Sequence, residues 1–550
     1  MTEVRDLRFP WRRSSDHTRA KPAERPIVIV GAGPVGLAAA LDLARKGHPV
    51  VVLERKGSLA AGSRAICWSK RTLEIMDRLG AAEPLIAKGI TWRKGKLFHD
   101  TRLLYEFDLL PEAGYRMPAF VNLQQYYFEH FVLLEALKTG AVELRWQEEV
   151  TAIEMTDDGA LITIATPEGC YRLFAQWVIA ADGARSTLRR LLGLSFEGRV
   201  FQDQFLICDV KIDIERPVER WFWFDPPFNR GRSALLHRQA DDVWRLDFQI
   251  GNDADRDIEV RPENAARRVR AMLGEDVDFS FEWISLYRFQ SRRLTRFRNG
   301  RVLFAGDAAH QMSPFGARGG NSGIADADNL AWKLDLIMRG QAPEALLASY
   351  DEERIFAADE DLRNTTRSTD FIAPKGAVSR AYRDAVLALA ATEPFARRLV
   401  NSGRLSVATV YRGSSLNGPD AFRAGEALGL APGAAALDAP LEGNRFLLNA
   451  IGGPFTGVWF SPERAPPPEI ARLERALAER ALPVRSLCVC DASACARYGA
   501  QAMPAYYLFR PDQHVAARWR HVSQAAVEAA LLRASGRDFT GIMPSEDNAG

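Results

Sequence analysis

Residues 27–54 read Ile27-Val28-Ile29-Val30-Gly31-Ala32-Gly33-Pro34-Val35-Gly36, continue as LAAALDLARKGHP, and close on Val50-Val51-Val52-Leu53-Glu54. Four β-branched residues running into a Gly-x-Gly-x-x-Gly turn predict a buried parallel strand. Leu37 to Lys46 predicts a helix stopped by Gly47, and Val50 to Leu53 a second strand ending on Glu54. In such a βαβ unit Gly31 permits the tight turn, Gly33 lets the backbone approach a pyrophosphate, and Gly36 lets helix and strand pack closely. The helix N-terminus offers N–H groups and a partial positive charge to phosphates. Glu54 stands 18 residues past Gly36, near the roughly 20 at which an acid meets a ribose hydroxyl. Glycines collect in any turn; strand, turn, helix, strand and acid in this order point to dinucleotide binding.

At 550 residues the chain exceeds one hydrophobic core and predicts two or three domains. A net charge of +2 gives no electrostatic case for nucleic acid or an anionic membrane. Apolar runs stop short of the ~18 residues of a membrane span. Six cysteines in so long a chain do not make a disulfide framework, and no Cys/His cluster has zinc spacing, so no metal is expected. The bulk reading is a cytoplasmic, soluble, multidomain protein. Residues 1–25, rich in Arg and Pro with Phe9 and Trp11, read as an N-terminal arm. Their acids argue against a transit peptide, and an ordered strap is one possible form.

After Glu54 and Arg55 a Gly/Ser/Ala loop carries Arg64, read either as a clamp on a cofactor or as a surface cation. Residues 90–122 suggest a β-ribbon, and Leu123-Gln124-Gln125 opens a helix. Trp177 to Ala181 is a buried strand ending in Asp182-Gly183-Ala184-Arg185-Ser186, where an acid can approach a ligand closely. Ser233 to Gln239 and Val243 to Ile250 flank Ala240-Asp241-Asp242 as a hairpin. In its second strand Trp244, Leu246, Phe248 and Ile250 share one face; Arg245, Asp247 and Gln249 share the other, facing solvent or a polar pocket. Arg301-Val-Leu-Phe-Ala-Gly306-Asp307 is again strand-then-Gly-Asp. Its loop, Ser313-Pro314-Phe315-Gly316-Ala317-Arg318-Gly319-Gly320-Asn321, feeds a helix from Ser322 to Met338. Such a loop sets backbone N–H groups beside a ring or its negative charge.

GAGPVG, ADGARS and FAGDAAHQMSPFGARGGN, in this order, resemble the single-component FAD-dependent aromatic hydroxylases. These are the group A flavoprotein monooxygenases of the p-hydroxybenzoate and phenol hydroxylase type, and the look is close to 3-(3-hydroxyphenyl)propionate hydroxylase. The resemblance covers about residues 25 to 370. The tail, with Tyr506-Tyr507-Leu508-Phe509-Arg510, resembles the thioredoxin-like C-terminal domain of the phenol hydroxylase branch. It implies an α/β fold: a Rossmann-like FAD-binding domain (26–195 and 296–370) interleaved with an α+β substrate sheet (196–295, with 90–122 contributing). A helical segment and linker (371–440), a thioredoxin-like domain (441–540) and a tail (541–550) follow.

By the family pattern Gly31, Gly33, Gly36 and Glu54, with Arg55 beside them, hold the ADP moiety of FAD. Arg64 and Gln125 (or Gln124) contact flavin phosphate and ribityl, Asp182 serves FAD and NAD(P)H, and Asp307 binds ribityl hydroxyls. Pro314, Gly319, Gly320 and Asn321 border the isoalloxazine. Many relatives carry Gly-Gly-Gln-Gly-Met-Asn where this chain has Gly316 to Asn321, so Arg318 either adds charge near the flavin or points to solvent. The implied reaction takes electrons from NADPH or NADH and oxygen from O2. It hydroxylates a phenolic ring ortho or para to the hydroxyl through a flavin C4a-hydroperoxide. His237 and Tyr287 are the catalytic candidates and Arg245 and Asp247 the substrate contacts.

The use of the tail domain in the family implies a homodimer. Cys488, Cys490 and Cys495 lack Cys-x-x-Cys spacing and read as structural thiols. The alternatives are a polycyclic or polyketide hydroxylase, a flavin reductase, and a non-catalytic FAD-binding redox sensor. A halogenase would carry Trp-x-Trp-x-x-Ile, and Trp221-Phe222-Trp223-Phe224 lacks the Ile.

Overall fold

Ala23–Val30 runs parallel between Val50–Glu54 on one side and Gly169–Ala180 on the other. Ile27, Val28 and Ile29 are fully buried, as a strand covered on both faces requires. In this computed structural model residues 3–538 are described, apart from 61, 63, 401–404, 424–426, 428–429, 464–467 and 481; the expected tail 541–550 lies outside the described residues. Val142–Trp146 extends the sheet beyond Val50–Glu54, and Val302–Phe304 beyond Gly169–Ala180. Because these pairs are parallel, the chain leaves the strands toward Gly31, Glu54, Asp182 and Asp307 at one common edge, where open α/β sheets take their ligands.

The first strand begins at Ala23 rather than the expected Ile27. Arg25 on it donates to Asp16 at 2.7 Å, Arg145 reaches the same carboxylate at 2.6 Å, and Phe9 stacks on Trp146 with centroids 4.3 Å apart. Burial alone would raise the Asp16 carboxyl, yet the two arginines hold it below its ordinary value. The N-terminal stretch is therefore an ordered strap.

The second sheet runs in the order His310–Gln311, Ser280–Arg293, Glu197–Lys211, Val243–Ile250, Ser233–Arg238, Arg220–Phe224, Lys94–His99, Arg102–Asp108. Only the contact of Arg220–Phe224 with Lys94–His99 is parallel among these pairs. The ribbon expected at 90–122 thus supplies two strands to it. Asp241 and Asp242 both take positive φ, 62° and 57°, the geometry of a two-residue hairpin turn. One face packs Leu206, Cys208, Val210, Trp244, Leu246 and Phe248 onto Ala265 and Val269 of the helix Pro262–Leu273.

The chain groups into two compact units, the first holding 1–111, 117–327 and 358–407, the second 112–116, 328–357 and 408–550. This departs from the expected single block at 296–370. Trp332 and Leu346 belong to the same core as Phe455, Leu473, Leu508 and Val527, which places residues 328–357 with the C-terminal part. In the second unit four strands run in the order Arg485–Val489, Thr456–Phe460, Ala505–Phe509, Val515–Trp519; the first pair is parallel and the other two are antiparallel.

Glu353 is fully buried there between Lys333 (2.8 Å) and Arg510 (3.1 Å to Oε2), and Arg510 also grips Asp512. Burial alone would raise the Glu353 carboxyl, but Arg510 and Lys333 hold it well below its ordinary value. Its stabilisation is complete above the unfolded carboxylate range and is lost as pH falls through the lower folded value. Replacing Glu353 by Ala takes the carboxylate from Lys333 and leaves Arg510 with Asp512 alone, and the expected cost is about 3–5 kcal/mol. Amide exchange in Thr456–Phe460 and Ala505–Phe509 should speed up accordingly; unchanged protection would refute this assignment.

Candidate active site

At the nucleotide end, a Cβ added at Gly31 would meet Ala181 O at 2.4 Å, and one at Gly36 would meet Gly31 O at 2.0 Å. Both glycines are needed for strand, turn and helix to close on one another. A Cβ at Gly33 meets nothing within 4 Å, so open space lies in front of the first turn of Pro34–Arg45. Glu54 accepts from Ala32 N–H and Lys56 N–H, each at 2.9 Å. Those bonds aim its carboxylate across the turn and leave a lone pair on each oxygen for a ribose. Arg55 next to it is exposed.

Asp182 lies at the neighbouring strand end. Its Oδ2 accepts from Thr187 N–H (2.6 Å) and Leu188 N–H (3.1 Å), while Oδ1 is buried without a hydrogen-bond partner among the described residues. Burial raises its carboxyl above the ordinary value. Arg189 ties this loop to the next one, donating to Ala184 O and Ala308 O at 2.8 and 3.0 Å. Asp307 is solvent-accessible yet set deep enough that desolvation raises its carboxyl, with His310, Arg64 and Arg189 pulling the other way. A carboxylate that is both accessible and ringed by protein lines a cleft.

Arg64 is exposed on a loop whose Ala65 N–H donates to Gln125 Oε1 at 3.2 Å. Gln125 in turn donates to Glu129 at 2.9 Å, and Glu129 accepts from Ala60 N–H at 2.8 Å. Burial pushes the Glu129 carboxyl up to about 7. Gln124 turns away from this loop, is buried, and donates to Ala240 O at 2.9 Å. Of the Gln doublet, Gln125 is the one beside Arg64.

The helix after the Gly-rich loop starts at Gly319, not Ser322. Asn321 does not offer its side chain to a ring. Its Oδ1 accepts from Ser69 N–H (2.9 Å) and Thr72 hydroxyl (2.6 Å), and its Nδ2 donates to Cys67 O (2.9 Å) and Ala317 O (2.5 Å). It staples the loop to Cys67–Ser69, while Gly320 sits against Ala65 and Trp68. Arg318 does not point to solvent: it is buried on Asp361. Pro314 is exposed and Gly319 half-buried on this loop. His310 is fully buried, with Nε2 2.7 Å from Asp326 Oδ2, which also accepts from Gly306 N–H at 2.8 Å.

The polar face of the second sheet is turned inward, not to solvent. Its register sets His237 opposite Arg245, Leu235 opposite Asp247, Arg245 opposite Asp209, and Phe205 opposite Tyr287. These share a face with Leu97, Phe222, Leu235, Phe289 and Phe315. Arg245 is committed: it clasps Asp209 through two bonds of 2.7 Å, and its Nη1 reaches Arg64 O at 3.5 Å. It braces the Arg64 loop from the substrate sheet.

His237 is buried, and burial together with Arg220 and Arg245 keeps it well below its ordinary pKa, hence neutral. Its Nδ1 faces two donors, Asn122 Nδ2 at 3.5 Å and Cys67 Sγ at 3.8 Å. The Asn122 amide is oriented by Trp92 Nε1–H, which donates to Oδ1 at 2.8 Å. Nδ1 is therefore the acceptor and Nε2 carries the proton, so His237 is placed as a donor rather than a base. Asp247 is half-buried with Oδ1 unpartnered among the described residues. Burial pushes its carboxyl up to about 6 against the pull of Arg245 and Arg220. Burial also raises the Tyr287 phenol, against the pull of Arg64.

Sequence reasoning passed over Arg220, Asp209 and Glu129. A basic residue opening the aromatic run Trp221 to Phe224 was a visible signal for Arg220 alone.

The open space at Gly33, the unpartnered Asp182 oxygen and the accessible, desolvated Asp307 fit a flavin dinucleotide along the sheet edge. Fold and site together define a flavin-dependent oxidoreductase. Residues 24–365 match the family model described as FAD binding domain. A Streptomyces rimosus 12-dehydrotetracycline 5-monooxygenase/anhydrotetracycline 6-monooxygenase is 33% identical over 356 residues, covering 63% of this chain and 70% of that protein. A 3-(3-hydroxy-phenyl)propionate/3-hydroxycinnamic acid hydroxylase of Escherichia coli is 30% identical over 400 residues, covering 71% and 70%. The crystal structure of the flavin-dependent monooxygenase PieE with FAD and substrate superposes with a TM-score of 0.79 at 22% identity, covering 94% of this chain and all of that one. The chain belongs to this FAD-binding family, as an FAD-dependent aromatic-ring monooxygenase.

Two glycine variants separate fold from cofactor. Gly33→Ala should fold with unchanged thermal stability when stripped of FAD, yet bind FAD at least ~10-fold more weakly, because its methyl enters the space before the helix N-terminus. Gly36→Ala should lose both stability and FAD. Flavin fluorescence titration with parallel thermal melts tests this pair; full FAD affinity in Gly33→Ala would be the contrary result.

Proposed function

We propose that the chain hydroxylates a phenolic ring ortho or para to its hydroxyl, drawing electrons from NADPH or NADH and oxygen from O2. The observation that carries this reading is the inward polar face of the second sheet, joined to the flavin edge through Arg64. Bound FAD supplies electron transfer and oxygen activation. Gly31, Gly33, Gly36 and Glu54 hold its ADP end, and Asp182, Arg64, Gln125 and Asp307 its middle. The loop from Pro314 to Gly320 borders its ring, with Asn321 fixing that loop.

The residues of the sheet then supply what the ring chemistry needs. Phenolate is a better carbon nucleophile than phenol, so a base must take the hydroxyl proton. Asp247 has an unpartnered oxygen and ionises near 6, which suits that task at neutral pH. His237 offers Nε2–H to the phenol oxygen, and Tyr287 keeps its proton and donates near Arg64. Phe205, Phe222, Phe289 and Phe315 exclude water from the reacting centre.

The relative acting on 3-(3-hydroxy-phenyl)propionate supports a small substituted phenol as substrate. A second reading, a polycyclic polyketide, is supported by the relative acting on tetracycline intermediates. In the second unit the strand order, with its first pair parallel and the others antiparallel, supports a thioredoxin-like domain. Cys495 is buried with its Sγ 3.6 Å from Val489 O, consistent with a structural thiol. Association through that domain as a homodimer, and a cytoplasmic location, complete the proposal. Among the described residues no helix is long and apolar enough to cross a membrane.

FAD-loaded protein offered a panel of substituted phenols and polycyclic phenols should oxidise NADH or NADPH far faster with one class, with little H2O2. Oxidation indifferent to every compound, with all electrons returned as H2O2, refutes the hydroxylase reading. For the responsive compound, kcat/KM should rise as pH passes about 6, where Asp247 ionises. Asp247→Asn should lower kcat by roughly 10²–10⁴-fold and erase that limb; an unaltered pH profile would remove Asp247 as the base.

A further inference from the structure

Trp146 ends the strand Val142–Trp146 and pairs with Glu54 in parallel register, so it stands at the ligand edge of the first sheet. Along that edge the strands bring up Asp307, Asp182, Gly31, Glu54 and, last, Trp146. A dinucleotide whose pyrophosphate meets Gly31 and Gly33 and whose ribose meets Glu54 has its adenine still to place. The next strand, about 5 Å further on, is the one that ends at Trp146.

What stands at that end comes from the N-terminal strap. Phe9 stacks on Trp146 with the ring planes 6° apart, and both rings are only half-buried. Phe9 N–H donates to Gly57 O at 2.8 Å, and Phe9 O accepts from Gln147 Nε2 at 3.2 Å. Gln147 N–H in turn donates to Lys56 O at 3.1 Å, and Glu148 N–H to Glu54 O at 3.0 Å. A Cβ at Gly57 would lie 2.9 Å from Phe9 O, so the strap closes directly on the backbone that follows Glu54. The rest of the strap has its own anchors: Asp16 between Arg25 and Arg145, and the His17 ring 4.1 Å from that of Tyr171. At its start Arg5 pairs with Glu282, next to Trp283, whose ring lies against Gly62. With those anchors in place the fold has no need of an aromatic pair left half-open at a ligand edge.

We propose that the N-terminal strap is part of the FAD site: the Phe9–Trp146 pair walls the adenosine end beside Glu54 and slows release of the dinucleotide. This rests on the placing of the ADP end at Gly31, Gly33 and Glu54. A planar base laid against the pair covers the apolar surface that both rings leave to water.

The test follows FAD release from the holoenzyme by flavin fluorescence, and titrates the stripped full-length chain with ADP and with FMN. Phe9→Ala should release FAD roughly 5–10-fold faster and bind ADP more weakly by a similar factor, with FMN affinity unchanged. Phe9→Tyr, which keeps the ring, should behave as wild type. If the strap only braces the fold, Phe9→Ala lowers the ligand-free melting temperature and leaves FAD release and ADP affinity as they are. That result, or equal losses of ADP and FMN affinity, overturns the proposal. A wrong placing of the ADP end shows separately, as an ADP affinity that Gly33→Ala leaves intact, and takes the proposal with it.

Discussion

A β-strand sends alternate side chains to opposite faces, and that constraint makes the second sheet a machine part rather than a wall. On one face Leu206, Cys208, Trp244, Leu246 and Phe248 build a core against a helix. The other face must then carry Asp209, Arg245, Asp247 and His237, because they alternate with those residues. A slip of one residue would bury the charges in the core and expose the tryptophan, so the hydrophobic face fixes the chemistry of the polar one. The Arg245–Asp209 clasp makes this tolerable, since it pairs two charges that the sheet forces inward together.

The two sheets depend on each other through small contacts. Arg245 reaches Arg64 O, Gly62 lies against the Trp283 ring, and Gln124 donates to Ala240 O. Each joins the flavin edge of the first sheet to the inward face of the second. The Arg64 loop is thereby held from both sides, by Gln125 and Glu129 beneath it and by Trp283 and Arg245 across from it. Asn321 does the same for the Gly-rich loop, using every hydrogen-bonding position of its amide on backbone or hydroxyl partners. Glu129, Trp283 and Asn321 position the ligand's surroundings without being spent on the ligand itself.

The flavin edge was legible because its signals are local. Gly31, Gly33, Gly36 and Glu54 lie within one βαβ unit, and the turn, the helix start and the acid occur in chain order. The hairpin at Asp241-Asp242 and the alternation along Val243–Ile250 were equally local, so the strand and its two faces could be read directly. Which face was wet could not be read, since that depends on what the sheet packs against. Arg220 carried a local signal at the head of its aromatic run, but its neighbours His237 and Gly95 come from two other strands that the run itself does not reveal. The grouping of residues 328–357 with the C-terminal unit rests on Glu353 and Arg510, 157 positions apart, a distance no periodicity reports.

Desolvation penalises ions, and an oxygen-transferring flavin needs a dry site, so each ion kept there must have a reason. Arg245 and Asp209 cancel. Asp247 answers its own burial by holding its proton up to about pH 6. His237 answers by staying neutral. The ions that the alternation forces onto this face are thus paired or held neutral through part of the pH range, which lowers the cost of a dry reacting centre.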